Sequence, residues 1–309
     1  MSWWILGGAL TVGFVISLAS VSLSIKISHR LEILDHPDSA RKTQDRPIPK
    51  LGGLAVATAF SLVAVLALIT LNSPGEVRLA LSALVPALFA GLIGYLDDQH
   101  DLNPYARLGF QFLTGFLVWW LGSQVALFDN DWLNAVIVVA FVVVLINGLN
   151  LLDNSDGLAG STVLMSGFGA SVIAVISGQE LVSVLGFALV GVCLGFLRYN
   201  WFPARVYLGD SGAYFLATLL AVLIIRMRPE TVDPWTGVFI ALLLVLLPIT
   251  DTSYVIFKRL RRGIHPFTAG RDHLSHKIQG SGKRVPTSVF ALQGLSLVGV
   301  LGAIALSLA

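Results

Sequence analysis

Four polar residues, Asn147, Asn150, Asp153 and Asp156, recur at every third position in an otherwise apolar stretch. On a helix this spacing lines them along one face, where two amides and two carboxylates can converge on one ligand. Amides and carboxylates read a base or a ribose through directional hydrogen bonds, and carboxylates also ligate hard cations. A second acidic group, Asp97-Asp98 followed by Asp101, places Asp97 and Asp101 on one helical face and Asp98 about 100° away. Adjacent ionised carboxylates repel, and a divalent cation would relieve that repulsion. The plainer alternatives are a solvated helix end for the acids and helix capping by Asn154, Ser155 or Asp156 for the amide run. Capping leaves Asn150 and Asp153 without a reason.

The other candidates lie further along. Asp210 sits between Gly209 and Gly212, where the backbone can approach a ligand, and it is equally placed to cap the helix that follows. Asn200 precedes it, with Pro203 breaking the chain between them. In the segment 258–277, Arg271 and the neighbouring cations can grip a diphosphate. His273 and His276, one turn apart if helical, can donate to phosphate or sugar oxygens. The run Lys258 to Arg262 reads more simply as an anchor against anionic lipid. Cys193, in an apolar run, reads as a small packing residue and leaves no disulfide framework.

The elements that must position these residues are membrane helices. With 55% hydrophobic and 12% charged residues, the chain cannot be an ordinary soluble domain. Apolar runs predict ten spans, roughly 3–25, 52–71, 79–96, 105–122, 132–149, 158–177, 181–197, 211–227, 235–257 and 288–308. Backbone amides in lipid must be satisfied within each segment, which favours helices over a barrel. The expected architecture is an all-α polytopic membrane protein, one domain over 1–309. With the N-terminus outside, the inner loops hold 17 of the 20 Lys and Arg and the outer loops hold Arg78, Arg226 and Arg228. The positive-inside rule then places both termini outside and every polar cluster at the cytoplasmic face. Trp235 to Arg262 would make one helix of about 42 Å against a core of about 30 Å, and Pro248 sits midway, so a break or strong bend is expected there. Asp251, just after it, is an intramembrane carboxylate that must face a polar cavity, as a partner for nearby cations or as a catalytic group. Gly191-x-x-x-Gly195 allows close helix contacts, within one chain or across a homodimer.

Five ordered motifs, Arg41-Lys42…Pro49-Lys50-Leu51-Gly52-Gly53, Asp97-Asp98-x-x-Asp101, Asn147-x-x-Asn150-x-x-Asp153-x-x-Asp156-Gly157, Asn200…Gly209-Asp210-Ser211-Gly212 and Pro266-Phe267…Asp272-His273-x-x-His276, span almost the whole chain. Together they resemble the polyprenyl-phosphate N-acetylhexosamine-1-phosphate transferases, and among them the GlcNAc-1-phosphate branch more than the phospho-MurNAc-pentapeptide branch. The resemblance implies a bacterial cytoplasmic-membrane enzyme that uses Mg²⁺, with Mn²⁺ as an alternative, to move a sugar 1-phosphate from a UDP-sugar to undecaprenyl phosphate, releasing UMP and initiating a cell-envelope glycan. Nucleic acid is not an expected partner. By matching position, Asp210 looks like a direct metal ligand, with Asp97 and Asp98 serving the metal and the lipid phosphate. Asn150, Asp153 and Asp156 look like the nucleotide pocket, and Asn200 a supporting contact. Lys42, His273 and His276 resemble the groups that handle diphosphate and sugar. Direct attack of the lipid phosphate is the favoured route, with a covalent aspartyl intermediate left open.

Two departures stand out. The family's Asp-Gly-x-Asp-Gly is here Asp153-Asn154-Ser155-Asp156-Gly157, and its His-x-His-His is here His273-Leu274-Ser275-His276. There are two rival readings: an intramembrane aromatic prenyltransferase calls for a second Asp-x-x-x-Asp cluster on a later inner loop, which the sequence lacks, and a polytopic transporter calls for charges or broken helices near mid-membrane in related halves, whereas these clusters gather at one surface.

Overall fold

The structure, a computed structural model, describes residues 3–37, 44, 46–71, 74–227, 229, 232–265, 268 and 270–309. These form α1 (Trp3–Arg30), β1 (Leu34–Asp35), β2 (Ile48–Pro49), α2 (Gly52–Leu71), α3 (Pro74–His100), α4 (Pro104–Trp120), α5 (Asp131–Leu152), α6 (Leu158–Ile176), α7 (Glu180–Asn200), α8 (Gly209–Arg226), α9 (Pro234–Leu244), α10 (Leu246–Arg261), α11 (Leu274–Gly280) and α12 (Val285–Ser307). Among the described residues the regular elements are all helices apart from β1 and β2, which pair antiparallel with Leu34 opposite Pro49 and Asp35 opposite Ile48.

Among the described residues, eight helices are long and apolar enough to cross a membrane, and a ninth span is added if α9 and α10 count as one. The protein is a multi-pass membrane protein. Nine of the ten expected spans each fall on one helix, and the expected span 235–257 falls on the pair α9 and α10. The fourth, α4, has only 17 residues.

Helix α8 forms the centre, with every residue from Ser211 to Ile224 buried. Helices α1 and α12 instead leave Val15, Leu23, Phe290 and Val298 exposed, as lipid-facing surfaces should. Since lipid is as apolar as leucine, close backbone approach has to hold such helices together. A Cβ on Gly191 would run into the Leu10 carbonyl of α1, and one on Gly195 would lie 2.7 Å from the Phe14 carbonyl. The small-residue pair is therefore used inside the chain and not between chains.

The expected break occurs between α9 and α10, which meet at 74° around Val245. Pro248 explains the position. It has no N–H for the carbonyl of Leu244, four residues back, and its ring crowds that carbonyl. The orphaned Leu244 oxygen accepts a hydrogen bond from Ser166 Oγ of α6 at 2.6 Å. Ser166→Ala should cost about 1 kcal/mol, read as a lower thermal midpoint in detergent. An unchanged midpoint would mean that the carbonyl finds another donor.

Candidate active site

The site is built where the first turn of α8 meets the ends of α3, α5 and α7. Two glycine contacts make the approach possible. A Cβ on Gly212 of α8 would lie 2.6 Å from Gly53 Cα of α2, and one on Gly94 of α3 would lie 2.5 Å from the Asp210 carbonyl carbon.

The first N–H groups of α8 have no partner within their own helix. Asp98 supplies one from α3: its Oδ1 accepts from Asp210 N and its Oδ2 from Ser211 N, both at 3.0 Å. Asp210 therefore does not cap its own helix. Its Oδ1 accepts from Asn150 Nδ2 at 2.5 Å, and its carboxyl group also lies within hydrogen-bonding reach of Asp97.

Asp97 is more deeply engaged. Its Oδ1 accepts from Leu102 N at 2.9 Å, and its Oδ2 accepts from Tyr214 Oη at 3.0 Å and from Arg107 Nη1 at 3.2 Å. Asp97 thus ties α3, α4 and α8 together behind the site. Asp101 does not share its face: the helix ends at His100, and Asp101 is exposed in the left-handed region at φ 47°, which aspartate tolerates better than most residues.

Past the end of α5, Asp153 accepts from Gly209 N, and Asp156 Oδ2 accepts from Ala204 N at 2.9 Å. Neither caps α6, whose N-cap is Gly157 at φ 78°. Burial drives the Asp153 carboxyl well above the usual carboxylate range. Its neighbours Asp210 and Asp98 push the same way. Asp156 is raised by burial, against the Ala204 N–H. Asn200 is buried and bridges two loops, its Oδ1 accepting from Gly157 N at 3.0 Å and its Nδ2 donating to Val206 O at 2.9 Å. It supports the walls and also lines the cavity.

The histidines separate. His273 is buried, with Nδ1 2.7 Å from Asp251 Oδ2, while Asp251 Oδ1 accepts from Leu274 N at 2.8 Å. The intramembrane carboxylate is therefore the partner that orients His273. His276 faces the cavity, its Nδ1 buried with no hydrogen-bond partner among the described residues. Burial holds its pKa below the ordinary imidazole value, and His273 and Arg271 add repulsion. The folded protein then binds fewer protons than the unfolded chain below about pH 6.5. Stability should fall as pH drops from there through the folded-state value. His276→Gln should flatten the dependence of the thermal midpoint between pH 7 and pH 5. Equal slopes would count against a neutral buried ring.

A cavity of about 360 Å³ joins these groups, lined by Asp98, Asp153, Asp156, Asn200, Arg271 and His276 of the expected residues. Asp97, Asn150, Asp210 and His273 stand behind that lining, and Lys42 lies outside the described residues, as do Pro266 and Phe267. Sequence reasoning did not assign roles to Lys50, Tyr207 and Gln44, which also line it. Lys50 Nζ is 3.2 Å from Asp35 Oδ1, Gln44 Nε2 donates to Asp35 Oδ2 at 2.6 Å, and Tyr207 Oη donates to Gln44 Oε1 at 3.2 Å. The signal available for Lys50 was its place just before Gly52 and Gly53.

Anionic oxygens on one wall and Lys50 and Arg271 on others suit a polyanion that arrives with a cation. Among the described residues no three His, Cys, Asp or Glu side chains form a ready metal-ligand group. The donor chemistry still fits a hard cation. Asp98, Asp153 and Asp210 are close enough to repel one another when ionised, and Mg²⁺ is commonly held by one or two carboxylates completed by substrate phosphates and water.

Residues 80–228, from α3 through α8, match the profile of glycosyl transferase family 4. Over that stretch the chain is similar to members of that family. It is 25% identical over 310 residues to a probable undecaprenyl-phosphate N-acetylglucosaminyl 1-phosphate transferase of Bacillus subtilis, covering 96% of this chain and 85% of the relative. A phospho-N-acetylmuramoyl-pentapeptide-transferase of Streptococcus pneumoniae is 28% identical over 298 residues, covering 90% and 89%. An undecaprenyl-phosphate alpha-N-acetylglucosaminyl 1-phosphate transferase of Yersinia pestis is 26% identical over 309 residues, covering 94% and 82%. The family 4 match contains Asp97, Asp98, Asn150, Asp153, Asp156, Asn200 and Asp210. The α11 histidines fall outside it but inside the relatives' near full-length alignments.

Proposed function

We propose that this chain transfers a HexNAc 1-phosphate, specifically GlcNAc 1-phosphate, from a UDP-sugar to undecaprenyl phosphate at the cytoplasmic face of the bacterial inner membrane. The observation that carries this reading is the single cavity in which Asp98, Asp153 and Asp156 face Lys50, Arg271 and His276 at one end of the helical bundle. The names and near full-length alignments of the B. subtilis and Y. pestis relatives support the lipid and the sugar. The bias of Lys and Arg supports the cytoplasmic face and both termini outside.

In the reaction, an oxygen of the lipid phosphate bonds to the sugar-bearing phosphorus as the bond from that phosphorus to the bridging oxygen breaks. The electron pair leaves on UMP. Three anionic groups must meet, so Lys50 and Arg271 offset their repulsion. Asp210 and Asp98 would hold Mg²⁺, which would supply further charge neutralisation when bound. Asp153 and Asp156 hold the nucleoside through hydrogen bonds. His276, neutral at pH 7, offers its unpartnered nitrogen to the sugar or the diphosphate. Asn150 fixes Asp210, and Asp251 fixes His273. Attack is direct, without an aspartyl intermediate.

The test is UMP release by the purified protein given undecaprenyl phosphate, Mg²⁺ and a panel of UDP-sugars, with the lipid product identified by mass. Release with UDP-GlcNAc is expected. Release with UDP-MurNAc-pentapeptide alone would favour the second reading, which the S. pneumoniae relative supports. No release with any UDP-sugar would defeat the proposal.

A further inference from the structure

Helix α11 carries His276 into the cavity, yet it has only seven residues and cannot hold its own position. Three side-chain attachments fix it. Asp251 grips its first residues, and Gln279 Nε2 donates to Ser155 Oγ at 3.0 Å and to Ser288 Oγ of α12 at 3.1 Å. The third is the shortest: Ser275 Oγ donates to Asn154 Oδ1 at 2.6 Å.

That bond has little freedom. Ser275 is completely buried, so its hydroxyl has no water to turn to. Asn154 Nδ2 donates to Leu151 O at 2.5 Å, which fixes the amide plane and aims Oδ1 at α11. Each partner is also next in sequence to a group that faces the cavity. Asp153 adjoins Asn154, and His276 adjoins Ser275. The bond therefore sets how far the nucleotide wall stands from the wall bearing His276 and Arg271. The pair also consists of the two positions at which this sequence departs from the pattern it otherwise resembles, and the departures meet.

We propose that the Asn154–Ser275 hydrogen bond is a positioning latch that fixes the width of the cavity and thereby sets which sugar of a nucleotide sugar is accepted. The proposal rests on the transferase reading above. Neither residue is catalytic. Ser275 acts through His276, and Asn154, which itself lines the cavity, acts there beside Asp153.

The experiment compares Asn154→Ala, Ser275→Ala and the double variant with wild type in full-length purified protein, using UDP-GlcNAc and its epimer UDP-GalNAc. Each single variant should raise KM for the preferred UDP-sugar about tenfold, the worth of one buried hydrogen bond, and leave kcat within about twofold. The preference between the two epimers should shrink by a similar factor. The double variant should match the worse single variant, since both remove the same bond. If an alanine variant does not fold, Ser275→Cys keeps the volume with a weaker donor and should raise KM in the same direction by less, about threefold. Unchanged KM and epimer preference, or a double variant whose effects multiply, would overturn the latch. An inactive wild type with every UDP-sugar would instead strike the transferase reading, so the two failures are told apart.

Discussion

Asp98→Asn and Asp210→Asn should each lower UMP release by about a thousandfold or more, the scale seen when a group that stabilises transition-state charge is removed. The substitutions are isosteric, so the cavity keeps its shape. In Asp98→Asn one of the two oxygens that accept from α8 becomes an NH₂ group facing an N–H. That mismatch costs about 1–2 kcal/mol of stability, far less than the catalytic loss. In Asp210→Asn the contact with Asn150 can survive through the amide oxygen. Both variants should purify as folded protein, with thermal midpoints within a few degrees of wild type. Rates within tenfold of wild type in either variant would remove these carboxylates from the reaction.

The second large effect concerns packing. Gly53→Ala and Gly212→Ala should each destabilise the protein by about 3 kcal/mol or more, at the upper end of overpacking costs, and should abolish activity in whatever fraction folds. A Cβ on Gly53 would lie 2.5 Å from the Leu208 carbonyl oxygen and would overlap Gly212 N. These are backbone atoms, which no rotamer change can move. Only separation of α2 from α8 relieves the clash, and that shifts the turn to which Asp98 is bonded. Gly294→Ala on α12 is the control, because nothing lies within 4 Å of the added carbon. Equal thermal midpoints for the three variants would show that the α2–α8 contact can yield.

Much of this molecule could be read from its residues, for reasons that differ by element. The helices announce themselves because apolar runs in lipid have no other way to satisfy their amides. The break between α9 and α10 was readable because proline acts on a residue four positions away, and that offset put the bend at Val245. The carboxylates and amides at three-residue spacing were visible as a cluster. What each one bonds to was not. Asp98 and Asp210 N are 112 positions apart, and Asn154 and Ser275 are 121 apart. Spacing rules reach only about one turn of helix, so they offered Asp210 and Asp156 as caps of their own helices, whereas Asp98 and Asp153 accept from the α8 turn. The histidine pair showed the same limit. Its spacing made two equivalent donors, but the buried Asp251 draws one of them away from the cavity.

The cap that Asp98 places on α8 also carries a consequence for biogenesis. A ribosome adds roughly 5–20 residues per second, so about 6–22 seconds pass between synthesis of Asp98 and of the N–H groups it will accept. Throughout that interval Asp98 has no α8 N–H groups to accept from. Products that stop short of α8 therefore carry Asp98 without the turn that orders it.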